Sequence, residues 1–390
     1  MSRRPERPIL GALLASVLVA AGCTATTAGT DDVKIGLLTS LSGTYQAAGE
    51  DLRDGFQLYL DTHDGKLGDR TVSLVVADEG DGPATALPAA TRMVKQERVV
   101  ALTGIVASGT FQAVSAMTSE NRIPLIGANG RPRQVPDPSY LWQTSFTADQ
   151  AGAAVAQHIK DTINGPVWVI GPDYVGGHEQ ITGFTDAFTA AGGQLANPGG
   201  KPTWTPFPTT TNFLPYLAQI RSSGAKAIYT FYAGRSAIDL VRQYSQSDVK
   251  NIPLYGAFLT EGAVLQAQGA ASEGVWNISN YSPQLDNPAN RTFVEQWAQR
   301  FPRTPTPQAM AAYDAAAVLD KAIAAAGNKV TADTINKAIA GLGDIDSPRG
   351  TWRFSPSSHV PIQRWYLSVA RRDGERMSNQ LVQELATVGS

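Results

Sequence analysis

The chain has 390 residues, 32 basic and 34 acidic side chains, a formal net charge of −2 and a single cysteine. A near-neutral balance with no run of Lys or Arg excludes the basic surface that nucleic-acid binding needs. One cysteine excludes an internal disulfide, so stability must come from burial, and this length suits about two domains.

In chain order, Arg3, Arg4 and Arg7 precede an apolar run over 9–19, and Ala20, Ala21 and Gly22 then lead to Cys23. A basic flank, a short apolar run and small residues read as a secretory signal over 1–22, too short to span a bilayer. Its removal takes away Arg3, Arg4, Arg7 and Glu6, a net +2, and leaves the remainder near −4. Residues 24–30 are small and uncharged, so 23–30 reads as a flexible tether. No later apolar stretch is long enough to cross a membrane.

From residue 33 the pattern alternates. Short apolar runs predict strands over 33–38, 71–77, 99–105 and 123–128. Between them, apolar residues at helical spacing (Leu52, Phe56, Tyr59, Leu60, then Leu87, Ala90, Met93, Val94) predict helices, and a third covers 111–120. The pattern restarts with a helix over 148–162, then strands over 167–170, 194–196, 225–232 and 252–258 separated by helices over 181–191, 213–223 and 237–245. The tail breaks the rhythm, with helices over 288–301, 308–326 and 331–342 and strand-like runs over 350–354 and 363–369. Two successive βα runs predict an α/β fold of two similar lobes, each a parallel sheet with helices on both faces. The broken tail predicts that the chain crosses between the lobes more than once.

The segment VKIGLLTSLSGTYQAAGEDLRDGFQLYLD resembles the opening of type I periplasmic binding proteins of the leucine/isoleucine/valine-binding class. VVADEGDGPATALPAATRMV, ALTGIVASGTFQAVSAM, RIPLIGAN, YLWQTSFTADQAGAAVAQ, VWVIGPDYVGG, AKAIYTFYAGRSAIDLVRQ and AAYDAAAVLDKAIAAAG agree in the same order. The resemblance implies two lobes joined by a three-strand hinge: 31–147 with 282–355, and 148–281 with 356–390. It also implies the solute-binding component of an ABC importer, a monomer without cofactor that closes on a small organic acid or amino acid and meets a transporter permease. Ala20-Ala21-Gly22-Cys23 is similar to a bacterial lipoprotein box, although Ala20 stands where that box usually has Leu. It implies an extracytoplasmic protein whose membrane anchor is the lipidated Cys23 alone.

In open α/β sheets ligands bind beyond the carboxyl ends of the strands, and clefts between domains are favoured. The residues there are Tyr45; Ser108, Gly109 and Thr110; Asn129, Gly130 and Arg131; Tyr174; Tyr232; and Phe258, Thr260 and Glu261. Ser108 and Thr110 fit a helix cap as well as an anion site, the tyrosines fit core or cleft wall, and Arg131 fits a solvated loop or a ligand contact. The resemblance assigns a carboxylate-binding role to Ser108. It also marks two departures: amino-acid binders have a small residue and Thr where this chain has Asn129 and Arg131. They have an acid for the ligand's ammonium where this chain has Phe258, with Glu261 three residues on. The expectation is an ammonium-free organic acid, aromatic acids included, held by a bidentate contact from Arg131. A branched-chain amino acid with Glu261 reaching into the site is the alternative.

An enzyme is the competing class. The chain has no G-x-S-x-G, no G-x-x-x-x-G-K-[ST], and no G-x-G-x-x-G after the first strand. His63, His158, His178 and His359 lack metal-ligand spacing, so no metal is expected. His178, after Gly176-Gly177 near a cleft loop, fits an exposed helix start, and no base–nucleophile partner is visible for it; a lipoprotein hydrolase is the enzyme alternative, which turnover of a bound ligand would reveal. A sensory lipoprotein signalling to a membrane receptor fits the same sequence.

Overall fold

The residues Val33–Thr39 alternate between two apolar environments, which is what a strand covered on both faces requires. Val33, Ile35 and Leu37 enter one buried cluster with Leu52 and Phe56, while Leu38 enters another with Ala86, Ala90, Phe111 and Val114. The computed structural model, which describes residues 32–389, places this strand near the middle of a six-stranded sheet. The sheet order is Lys66–Leu67, Arg70–Asp78, Val33–Thr39, Ala101–Gly104, Leu125–Gly127, Leu141–Gln143. All its pairings are parallel except the first, which closes a hairpin.

The second sheet repeats the plan. Its order is Thr203–Pro206, Val167–Asp173, Ala227–Phe231, Leu254–Ala257, Trp276–Ser279, joined in parallel. The long strand Pro361–Asp373 then adds on antiparallel and pairs with Arg353–Phe354 and Arg376–Val388. Val167 and Val169 face one cluster and Trp168 and Ile170 the other, again by strand alternation.

The helices Pro288–Arg300, Pro307–Ala326 and Ala332–Ala340 return to the first sheet's core through Phe293, Trp297, Met310, Leu319 and Ile335. The chain therefore passes between the sheets at 144–149, 280–287 and 355–360. One buried network ties these passages together. Arg349 donates to Asp314 Oδ2 (Nε, 3.1 Å), to the Thr144 carbonyl and to Gln363 Oε1. Gln363 donates to the Ser145 carbonyl and accepts from Asn280 Nδ2 at 3.1 Å. Arg349 and Asp314 are both fully buried, and the pairing with its further hydrogen bonds offsets the cost of taking both charges out of water.

Several expectations need correction. Residues 194–196 form no strand; Leu195 makes a single bridge to Val167, and the sheet edge is Thr203–Pro206. Trp276–Ser279 and Arg376–Val388 are additional strands, and Gly262–Gln268 is an additional helix. Within 350–354 only Arg353–Phe354 is strand. The signal over 1–22, the tether and Cys23 lie outside the described residues.

Candidate functional site

The carboxyl ends of the two sheets face each other across a cavity of about 110 Å³. The N-terminal ends of several helices converge on it. They are Gln46–Thr62 (through Tyr45), Ser108–Glu120, Val175–Ala190 (Tyr174, Gly176), Gly234–Gln246 (Ala233, Gly234), Gly262–Gln268 (Glu261) and Pro307–Ala326 (Thr306, Gln308). Each such end carries unpaired N–H groups and partial positive charge. Among the described residues no Lys, Arg or His belongs to the wall. The flat apolar surface comes from Phe146, Phe231 and Phe258.

Two strand ends at the site adopt left-handed backbone at non-glycine residues, Ile105 (φ 62°) and Phe258 (φ 52°). Such positions cost about 1–3 kcal/mol and persist where the surroundings over-determine them. At Phe258 the surroundings include Phe146, stacked with ring centroids 4.5 Å apart, and Trp365 edge-on at 5.8 Å. Beyond Ile105 the loop is clamped by buried Glu79, which accepts from Ser40 Oγ at 2.6 Å, Val106 N at 3.0 Å and Ala107 N at 3.1 Å. Burial pushes the Glu79 carboxyl up to about 7, against the pull of these donors. The clamp fixes the loop that presents Ser108 to the cavity.

The sheets' two sides touch across the cavity. Tyr45 OH donates to Tyr174 OH at 3.5 Å, and the Tyr174 ring stacks on Phe207 at 4.3 Å. A Cβ on Gly176 would stand 3.0 Å from Ser108 Oγ, and one on Gly234 would stand 2.6 Å from the Thr44 carbonyl oxygen. Glycine at both positions is what allows this approach. The structure is thus a closed one.

Two acids lie on the wall. Asp51 accepts from Arg303 Nε at 3.0 Å and Thr306 Oγ1 at 2.9 Å; burial pushes its carboxyl up while Arg303 and Thr306 pull it down. Glu261 accepts from Asn277 Nδ2 at 2.6 Å, and burial pushes its carboxyl up to about 8, with Asn277 opposing and the nearby Asp51 adding. Among the described residues no group of three His, Cys, Asp or Glu is placed to hold a metal.

Of the residues expected from sequence, Tyr45, Ser108, Asn129, Gly130, Tyr174, Phe258 and Glu261 line the cavity. Gly109, Thr110, Arg131, Tyr232 and Thr260 do not. The ligand contact expected of Arg131 is corrected by strand alternation. Gly130–Arg131 pairs with Phe146–Thr147, so Gly130 faces the cavity and Arg131 the opposite side. The Arg131 side chain, 2% exposed, donates instead to the carbonyls of Pro132 (3.2 Å) and Ser358 (2.6 Å). The same alternation puts Phe231 on the wall and sends Tyr232 into the core, where its hydroxyl pairs with Thr205 Oγ1 at 2.8 Å. Thr260 Oγ1 donates to Asn379 Oδ1 at 2.8 Å, Gly109 is exposed, and Thr110 is buried behind the wall. His178 pairs with Asp173 at 2.6 Å and stacks on Trp204, off the wall. Asp51, Phe146, Gln180, Phe231, Thr306 and Gln308 were not anticipated. The Thr306-Pro307 helix start was a readable signal for the last pair, whereas nothing in the sequence marks Gln180.

A family model described as "Periplasmic binding protein" matches residues 32–375. The chain belongs to the periplasmic binding protein family. "Leu/Ile/Val-binding protein homolog 6" of Brucella melitensis is 29% identical over 368 residues, covering 92% of this chain and 93% of the relative. A solute-binding protein of an ABC transporter from R. palustris, solved in complex with benzoate, superposes with a TM-score of 0.81. It is 30% identical, with 92% of this chain and 98% of that one covered. A second, from Rhodopseudomonas palustris HaA2 in complex with p-hydroxybenzoic acid, gives 0.82 at 25% identity, covering 92% and 98%. Membership makes this chain a solute-binding protein of the ABC-transporter kind, working outside the cytoplasm. Among the described residues no helix is long and apolar enough to cross a membrane.

Proposed function

We propose that the protein captures a small aromatic monocarboxylate and hands it to the permease of an ABC importer. The two lobes are 31–147 with 282–355 and 148–281 with 356–390. A lipid on Cys23 tethers the monomer to the membrane. The observation that carries this reading is the composition of the cavity wall: helix N-termini and hydroxyls for an anion, phenyl rings for a flat apolar body, and no basic side chain. A carboxylate is stabilised at a helix N-terminus without a cation. The donors offered are Ser108 with the first N–H groups of Ser108–Glu120, and the hydroxyls of Tyr45 and Tyr174. The benzoate held by the R. palustris relative is of the same class.

Closure supplies the mechanism. The Tyr45–Tyr174 and Thr44–Gly234 contacts exist only with the lobes together, and a ligand touching both lobes favours that state by its differential affinity. The permease then distinguishes loaded from empty protein by lobe angle.

A branched-chain amino acid is the second reading, favoured by Glu261, whose carboxyl would neutralise an ammonium, and by the names of the Brucella relatives. Thermal-shift assays separate the two. A ligand at a hundred times its dissociation constant stabilises by about 2.7 kcal/mol, a readable shift. Benzoate and its ring-substituted relatives should raise the melting temperature while leucine, isoleucine and valine leave it unchanged; the reverse pattern assigns the protein to the second reading.

A further inference from the structure

Gly262 opens the helix Gly262–Gln268 with left-handed backbone (φ 50°) and lies where the cavity meets a wider groove of about 780 Å³. Glu261, Ala263 and Thr306 line both spaces, so the partition between them is the Glu261–Ala263 turn on the second sheet's side and Thr306 on the first. A Cβ on Gly262 would stand 2.8 Å from Thr306 Cγ2 and 3.4 Å from Asp51 Oδ2. Carbon atoms touch at about 3.5–4.0 Å, so the first of these distances is a collision. Thr306 is held in place to receive it. Its Oγ1 donates to Asp51 Oδ2 at 2.9 Å and accepts from Ala309 N at 3.2 Å, as the cap of Pro307–Ala326. Apart from its own chain neighbours and helix backbone, and among the described residues, the added Cβ would meet nothing else within 4 Å. Gly177 shows the contrast: its Cβ would meet the Pro172 carbonyl oxygen at 2.1 Å, a packing demand within one side.

With Gly176 against Ser108 and Gly234 against Thr44, Gly262 against Thr306 is the third point at which a glycine at a helix start of the second side meets a hydroxyl residue of the first. Two surfaces that meet at backbone distance are held apart by a single added methyl group. We propose that Gly262 is the stop and the seal of lobe closure: the side chain it lacks lets the second side settle on Thr306, which shuts the cavity off from the groove and sets how tightly the closed protein holds its ligand. Gly262 lines the groove and not the cavity, so it is a positioning residue that acts through the distance between the two sides. This rests on the closure reading above and holds whichever acid is bound. Two demands meet at this position, and they are separable. The left-handed backbone concerns the helix start in every state of the protein, whereas the Thr306 contact belongs to the closed state alone.

Calorimetric titration and small-angle X-ray scattering test this on the wild type, Gly262→Ala, Thr306→Ser and the double variant, with benzoate and leucine as probes. Serine keeps the hydroxyl that bonds Asp51 and Ala309 N and removes the methyl that meets position 262. Gly262→Ala should bind the wild type's probe roughly 10- to 100-fold more weakly, and should contract less than the wild type when saturated. In the double variant the loss relative to Thr306→Ser should shrink below about threefold. The ligand-free melting temperature should fall equally on adding Gly262→Ala to either background, because left-handed backbone strains alanine whatever stands at 306. Affinity unchanged in Gly262→Ala overturns the inference alone, and so does a loss that persists in full with Thr306→Ser. A wild type that binds its probe without contracting overturns the closure reading and this inference with it.

Discussion

Glu261 gives the two ligand readings opposite pH dependences. Its carboxyl, at about 8 rather than the usual 4.5, is mostly neutral at pH 7 in the empty protein. An ammonium-bearing ligand needs it ionised. Two units below that pKa, at about pH 6, ionising it costs about 2.7 kcal/mol, since one unit is about 1.36 kcal/mol. An amino acid's affinity should therefore rise close to tenfold per pH unit from about pH 6 to about pH 8, then level. A carboxylate without an ammonium prefers Glu261 neutral. Its affinity should stay nearly level up to about pH 7 and fall above about pH 8, toward tenfold per unit, as ionised Glu261 repels it. Glu261→Gln should remove the alkaline fall for the aromatic acid. Calorimetry across this range, in buffers of different ionisation enthalpy, gives both affinity and the number of protons exchanged. Aromatic-acid affinity that rises with pH, and loses that rise in Glu261→Gln, would refute the reasoning.

Three further outcomes follow from the geometry. Arg131→Ala should leave ligand affinity within about threefold of wild type, because the side chain faces away from the cavity, while lowering stability by about 1–3 kcal/mol in urea titrations through the two carbonyls it abandons. Tyr45→Phe and Tyr174→Phe should each weaken ligand binding about 3- to 10-fold, and a double-mutant cycle should find their effects non-additive, as expected for a hydrogen-bonded pair spanning the cavity. Arg349→Met leaves Asp314 buried without its partner and should cost about 3–5 kcal/mol in urea unfolding; adding Asp314→Leu should recover much of it.

The alternation of strands and helices was legible because parallel strands buried on both faces leave continuous apolar runs, as Val33–Thr39 and Val167–Asp173 do. What escaped lies at the edges. Thr203–Pro206 ends in proline and is only half buried, and Arg376–Val388 is polar along most of its length, so neither carries an apolar signal. At two strand ends the residue expected at the cavity stands one position from the residue that lines it. Strand ends identify where a ligand sits, yet adjacent residues point to opposite faces, and the phase is lost where the strand is only two residues long, as Gly130–Arg131 is, or stops at the site, as Ala227–Phe231 does. Hence Gly130 rather than Arg131, and Phe231 rather than Tyr232, reach the cavity. Gln180 sits within a helix whose start was placed six residues late in the sequence, so its position near a cavity-facing end had no signal.

The central claim is an aromatic carboxylate held by neutral donors at the helix ends. The most direct measurement is a crystal structure of the protein with 4-hydroxybenzoate. The account predicts the carboxylate about 3 Å from Ser108 Oγ and the first N–H groups of Ser108–Glu120, with the ring against Phe258. A carboxylate bound elsewhere, or paired with Arg131, would contradict it.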